Sequence, residues 1–144
     1  MTASSSHPVK WGWAVLGGLL AHLCTIAVVA LAAIAYSRLA APGSGAVAFA
    51  DASRKTGLIV GPTIGTLLVF LFGHWAARRS PGRELVAGAM AGGVAALIVT
   101  PLLVAAAPTV RIFYAVSMGL KLAAGAGGGR IASRRASRGS GVTA

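Results

Sequence analysis

Acidic side chains are almost missing from this chain: Asp51 and Glu84 are the only two among 144 residues. No pair of carboxylates is available for general acid–base work. Neither acid falls inside an apolar run, which argues against proton-coupled cation exchange, since that chemistry needs an acid embedded in the membrane. A single cysteine, Cys24, rules out an intrachain disulfide. His22 stands only two residues away, and on a helix that spacing puts it on a different face. Cys24 is therefore read as a small packing residue. Aromatic residues make up 6% of the chain and charged residues 10%, against about 25% charged in an ordinary soluble domain. No catalytic, nucleotide-binding or metal-binding motif is present, so an enzyme is not expected, nor a cofactor or a metal.

What the chain does have is apolar length. Hydrophobic residues are 56% of it, and mean hydropathy is +0.80. Four runs, at about 11–36, 57–76, 85–107 and 110–128, are each close to the ~20 residues that cross a ~30 Å hydrocarbon core. Backbone groups in lipid must bond to one another, and runs of this length give helices rather than barrel strands. The expectation is an all-α membrane protein, a four-helix transmembrane bundle. A polar segment, 1–10, precedes it and a basic tail, 129–144, follows it. Residues 37–56, with Pro42, Gly43 and Gly45, read as the longest loop, in which Ala46–Ala52 either extends the next helix or lies at the interface. Ser80-Pro81-Gly82 and Pro108-Thr109 read as tight turns. Trp11, Trp13, Tyr36 and Trp75 mark the interfacial belts.

The net charge is +11. Its cations border the apolar runs, where they meet lipid headgroups, so no nucleic-acid partner is expected. With four spans, one side holds Lys10, Arg78, Arg79, Arg83, Arg130, Arg134, Arg135 and Arg138; the other holds Arg38, Arg54, Lys55 and Arg111. That imbalance places both termini in the cytoplasm, in a plasma (inner) membrane with anionic headgroups. Arg130, Arg134 and Arg138 stand four apart, and as a helix they would lie on that surface. His74, beside Trp75, reads as an interfacial anchor.

Small residues at four-residue spacing form the most regular pattern. Span two carries Gly57, Gly61 and Gly65, span three Gly88 and Gly92, and span four Ala115, Gly119, Ala123 and Gly127. A face without side chains lets another backbone approach, either within the chain or across a homo-oligomer. Two prolines, Pro62 and Pro101, interrupt helices, with Thr63, Thr66 and Thr100 nearby to satisfy freed carbonyls. His22 and Lys121 are the only ionisable side chains near the bilayer centre. Such residues are site candidates. For Lys121 the glycines at 125, 127, 128 and 129 are expected to fray the helix end, leaving the lysine in a last turn from which it can snorkel. Two functions fit. One is a structural, accessory or regulatory protein acting through helix packing. The other is a small oligomeric channel or transporter for an anion or neutral solute, lined by His22, Lys121 and the Thr/Pro region.

Overall fold

The computed structural model describes residues 10–40 and 45–139. They form α1 (Trp11–Ala40), α2 (Gly45–Ala77), α3 (Glu84–Ala105) and α4 (Pro108–Gly139), with no strand among them. Three stretches, Trp11–Leu39, Phe49–Ala77 and Glu84–Ala105, are long and apolar enough to cross a membrane. α4 is as long, but Arg111, Lys121 and the arginines after Gly129 dilute it. It is the helix whose span the sequence overstates.

The packing is that of a protein built for lipid. The core is Ala14, Ala21, Ala33, Ala76, Ala77, Ala87, Ala91, Ala95 and their like, and its largest fully buried side chain is Val69. Bulky side chains such as Leu23, Leu31, Ile59, Leu97, Ile112 and Phe113 point outward. In water that arrangement would forfeit the hydrophobic effect. In lipid the tails match leucine, and close backbone approach holds the helices together.

α2 packs on all three other helices, whereas α1 and α4 share no backbone contact. α3 and α4 cross through glycine. A Cβ built on Gly125 would stand 2.5 Å from the Gly88 carbonyl oxygen, and one on Gly92 2.6 Å from the Lys121 carbonyl oxygen. α2 joins this crossing at Gly73, whose Cβ would lie 3.2 Å from Gly125 Cα. α1 closes on α3 the same way, with Gly18 facing the Ala91 carbonyl at 2.7 Å from a built Cβ.

Three boundaries differ most from the sequence reading. The loop expected over 37–56 is mostly helix: 37–40 complete α1 and 45–56 open α2. Alanine-rich sequence favours that outcome. Ala52 is buried, Asp51 pairs with Lys55 at 2.8 Å across one turn, and Thr56 Oγ1 donates to the Ala52 carbonyl. Pro42 and Gly43 lie outside the described residues, as do residues 1–9 and 140–144. Next, α1 continues past Tyr36 to Ala40. Finally, the tail is not separate at 129, because α4 runs on to Gly139. Gly125, Gly128 and Gly129 do not fray. They are clamped against the backbones of Gly88, Phe70 and Glu84, respectively. Both prolines sit inside continuous helices.

The turn at Ser80-Pro81-Gly82 behaves as read, whereas the one expected at Pro108-Thr109 lies at 106–107, since α3 ends at Ala105 and Pro108 and Thr109 already open α4. Gly82 has the only positive φ (78°) among the described residues, and its N–H donates to Glu84 Oε1 at 2.9 Å. Pro108 occupies the first position of α4, where its missing N–H costs nothing.

Candidate functional site: a blind cavity between the helices

The failure of α1 and α4 to meet leaves a cavity of about 440 Å³. Each helix supplies a strip of its wall. α1 gives His22 and Thr25, three apart and so on one face. α2 gives Ser53, Arg54, Gly57, Leu58, Gly61 and Pro62. α3 gives Val99, Leu102 and Ala105, and the connection to α4 adds Ala106 and Ala107. α4 gives Val110, Tyr114, Ser117 and Lys121, whose spacing of four, three and four is a single helix face.

The mouth and the floor follow from the sequence positions of these residues. Ser53, Arg54 and Ala105–Val110 mark the end of the bundle at the α3–α4 turn. His22, Thr25 and Lys121 are the deepest, and Lys121 lies about 20 Å along α4 from Pro108 at ~1.5 Å per residue. No lining residue lies beyond this level. There the glycine contacts of Gly92 with Lys121 and of Gly125 with Gly88 bring the backbones together. The cavity is blind.

Lys121 is 5% exposed and Ser117 is 3% exposed. The lysine packs beside Gly65: a Cβ there would lie 3.6 Å from Lys121 Cε, an ordinary contact, and a tighter 3.2 Å from Thr25 Cγ2. Among the described residues no carboxylate pairs with Lys121. Asp51 is bound to Lys55 and Glu84 to the Gly82 amide. The Thr25 hydroxyl donates to the Ala21 carbonyl at 2.7 Å, so it faces the cavity only as an acceptor. On the α2 wall Pro62 removes the hydrogen bond that the Leu58 carbonyl would otherwise accept. At the floor the donors left to a ligand are the Lys121 ammonium, the Ser117 hydroxyl and His22; Tyr114 stands above them and Ser53 and Arg54 at the mouth.

The residues singled out by sequence divide clearly. His22, Lys121, Pro62, Gly57 and Gly61 come together in the cavity. The threonines do not. Thr63 is exposed and donates to the Ile59 carbonyl at 2.8 Å, and Thr66 donates to the Pro62 carbonyl at 2.6 Å. Thr100 lies outside the lining. Lys121 is not in a frayed last turn; it is mid-helix, with eighteen further residues of α4 behind it. Of the glycines, Gly65, Gly88 and Gly92 meet neighbouring helices, while Gly57, Gly61 and Gly119 have nothing within 4 Å of a built Cβ. The true α4 packing face is Ser117, Lys121, Gly125, Gly128 and Ala132, all buried. The stripe at 115, 119 and 123 is exposed. Sequence reasoning passed over Thr25, Tyr114 and Ser117, although Ser117 stands four residues before Lys121 and Thr25 three after His22.

The opposite end is built differently. Trp13 and Trp75 meet edge to face at 5.2 Å, and the Arg79 guanidinium lies 4.0 Å from the Trp75 ring centre and 4.7 Å from that of Trp13. His74 Nδ1 lies 3.1 Å from the Gly128 carbonyl oxygen, which ties α2 to α4. Arg78, Arg83, Arg130, Arg134 and Arg135 are exposed around this end, and Arg138 continues the same helix. Among the described residues no three His, Cys, Asp or Glu side chains gather into a metal site. Compared with known protein families, curated proteins and solved structures, the chain matches none.

Proposed function

We propose that this small helical membrane protein is a non-enzymatic binding protein that takes an anionic solute into the cavity, with Lys121 as its charge partner. One observation carries the reading: a lysine 5% exposed, at the floor of a cavity of about 440 Å³, with no carboxylate beside it. A lysine at the centre of a membrane helix costs about 2.5–3.5 kcal/mol on insertion scales. An anion in the cavity supplies the missing counter-charge. A volume within about 300–1,000 Å³ is that of an ordinary ligand site. The absence of acids in the lining disfavours a cation.

The blind floor supports binding, or access alternating between two faces, over an open pore. The basic end, with its indoles and arginines, suits the cytoplasmic leaflet of a plasma (inner) membrane and its anionic headgroups. Both termini then lie in the cytoplasm and the cavity opens outward. A structural or accessory protein is the second reading. It is favoured by the exposed small-residue stripe at Ala115, Gly119 and Ala123 on α4, which would serve a homo-oligomer.

The test is anion uptake and binding in proteoliposomes, wild type against Lys121→Met at matched protein levels. Saturable anion binding in the wild type, weakened about tenfold or more in the variant, is expected, because a charge-assisted hydrogen bond is worth about 1.5–3 kcal/mol. Folded, stable protein that binds no anion in either form removes this reading in favour of the structural one.

A further inference from the structure

We infer that the occupant of the cavity is an organic carboxylate with an apolar body, not a small inorganic anion. This rests on the anion-binding reading above and adds the chemical class of the ligand. Most polar groups lie at the two ends of the cavity, with the Tyr114 phenol between them on α4. Lys121, Ser117 and His22 lie at the floor, and Ser53 and Arg54 at the mouth. Between them the α2 and α3 walls are Leu58, Gly61, Pro62, Val99 and Leu102.

A hydrated inorganic ion crossing that stretch would shed water against α2 and α3 walls that offer it no side-chain donor, leaving only the Tyr114 hydroxyl on α4, and desolvating an ion without replacement is expensive. A chain with a carboxylate at one end meets both regions at once. Its two oxygens accept from the Lys121 ammonium and the Ser117 hydroxyl, each with a donor to give. Its apolar body displaces water from Leu58, Val99 and Leu102, and each methylene so buried adds to the binding. The missing side chains at Gly57 and Gly61 leave the width for it: nothing stands within 4 Å of a Cβ built on either. Arg54, exposed at the mouth, attracts the carboxylate on entry. The ligand therefore seats head first, its charge at the blind end.

The probes are octanoate, octanol and nitrate, measured by equilibrium dialysis against the full chain in a non-ionic detergent, with protein-free micelles as the partition control. Octanoate is expected to bind saturably, one per chain. Octanol and nitrate are each expected to bind about tenfold or more weakly, the first lacking the charge and the second the apolar body. Leu102→Asn, at a position 53% exposed, should weaken octanoate several-fold and leave nitrate alone. Nitrate binding as tightly as octanoate, or octanoate binding indifferent to Leu102→Asn, overturns the carboxylate assignment while leaving an anion site. Failure of both anions to bind saturably removes the anion site itself. Should Lys121→Met fail to fold, the octanol comparison and Leu102→Asn still decide the question on wild-type-like protein.

Discussion

The two halves of this bundle use the same residue, glycine, to opposite ends. Toward the Trp13–Trp75 end, glycines on different helices face one another. Gly88 and Gly125 interlock so closely that each carbonyl oxygen stands 2.5 Å from the place of the other's absent Cβ, and Gly92 meets the Lys121 carbonyl in the same way at 2.6 Å. Toward the α3–α4 turn, Gly57 and Gly61 face nothing within 4 Å, and the space they leave is the cavity. Glycine spacing specifies close packing only where a partner backbone reaches the same level, whether at glycine, as Gly125 at Gly88, or not, as Gly18 at Ala91. Where none does, the identical motif leaves open space. Gly65 stands at the boundary: it meets Thr25 on one helix and the Lys121 side chain on another.

Three substitutions grade this contrast. Gly125→Val should be the most damaging. Its Cβ would fall 2.5 Å from the Gly88 carbonyl oxygen, a backbone atom that cannot step aside. Overpacking in a tight core costs about 1–3 kcal/mol and sometimes more, so a large fall in the thermal unfolding temperature in detergent, or loss of folded protein, is expected. Gly65→Ala should be intermediate. The new methyl would stand 3.2 Å from Thr25 Cγ2 and 3.6 Å from Lys121 Cε, both of them side-chain atoms with some freedom. A loss of about 1 kcal/mol is expected as Thr25 gives way, with anion binding little changed, because 3.6 Å from Lys121 Cε is an ordinary contact. Gly61→Leu should scarcely change stability, by less than about 1 kcal/mol, since it meets no neighbour and removes a poor helix former. It should nevertheless fill the cavity and abolish binding. If Gly61→Leu unfolds the protein as Gly125→Val does, the contrast between the two halves is wrong.

Much of this was legible from the chain. His22 and Lys121 stand out because they are polar within apolar runs, and they do share a cavity. The helices were legible because apolar length in lipid leaves the backbone no alternative. The phase of α4 was not. In a helix where alanine and glycine occur on every face, a four-residue spacing can be drawn along several of them. The stripe at Ala115, Gly119 and Ala123 is as regular as the buried one at Ser117, Lys121 and Gly125. Only the positions of Gly88 and Gly92 across the interface select between them. The same contact explains the helical tail. Glycines that would fray an isolated helix are held by the Phe70 and Glu84 backbones. In the 37–56 segment the Pro and Gly signals cluster in the first half; of the two readings for Ala46–Ala52, extension of the next helix is the one found, with Ala52 buried.

The central claim is that Lys121 gives a water-accessible cavity a positive floor, and reactivity at its neighbour tests that most directly. With Cys24→Ala as background, Ser117→Cys puts a thiol one helical turn from Lys121 on the cavity face. Intact cells are treated from outside with small thiosulfonate reagents that do not cross membranes, one anionic and one cationic, and labelling rates are compared with and without Lys121→Met. The expected result is labelling from outside, faster by the anionic reagent, with the preference erased by Lys121→Met. Labelling only after the cells are broken would reverse the proposed orientation. No labelling in either condition, or a cationic preference indifferent to Lys121, would contradict the claim.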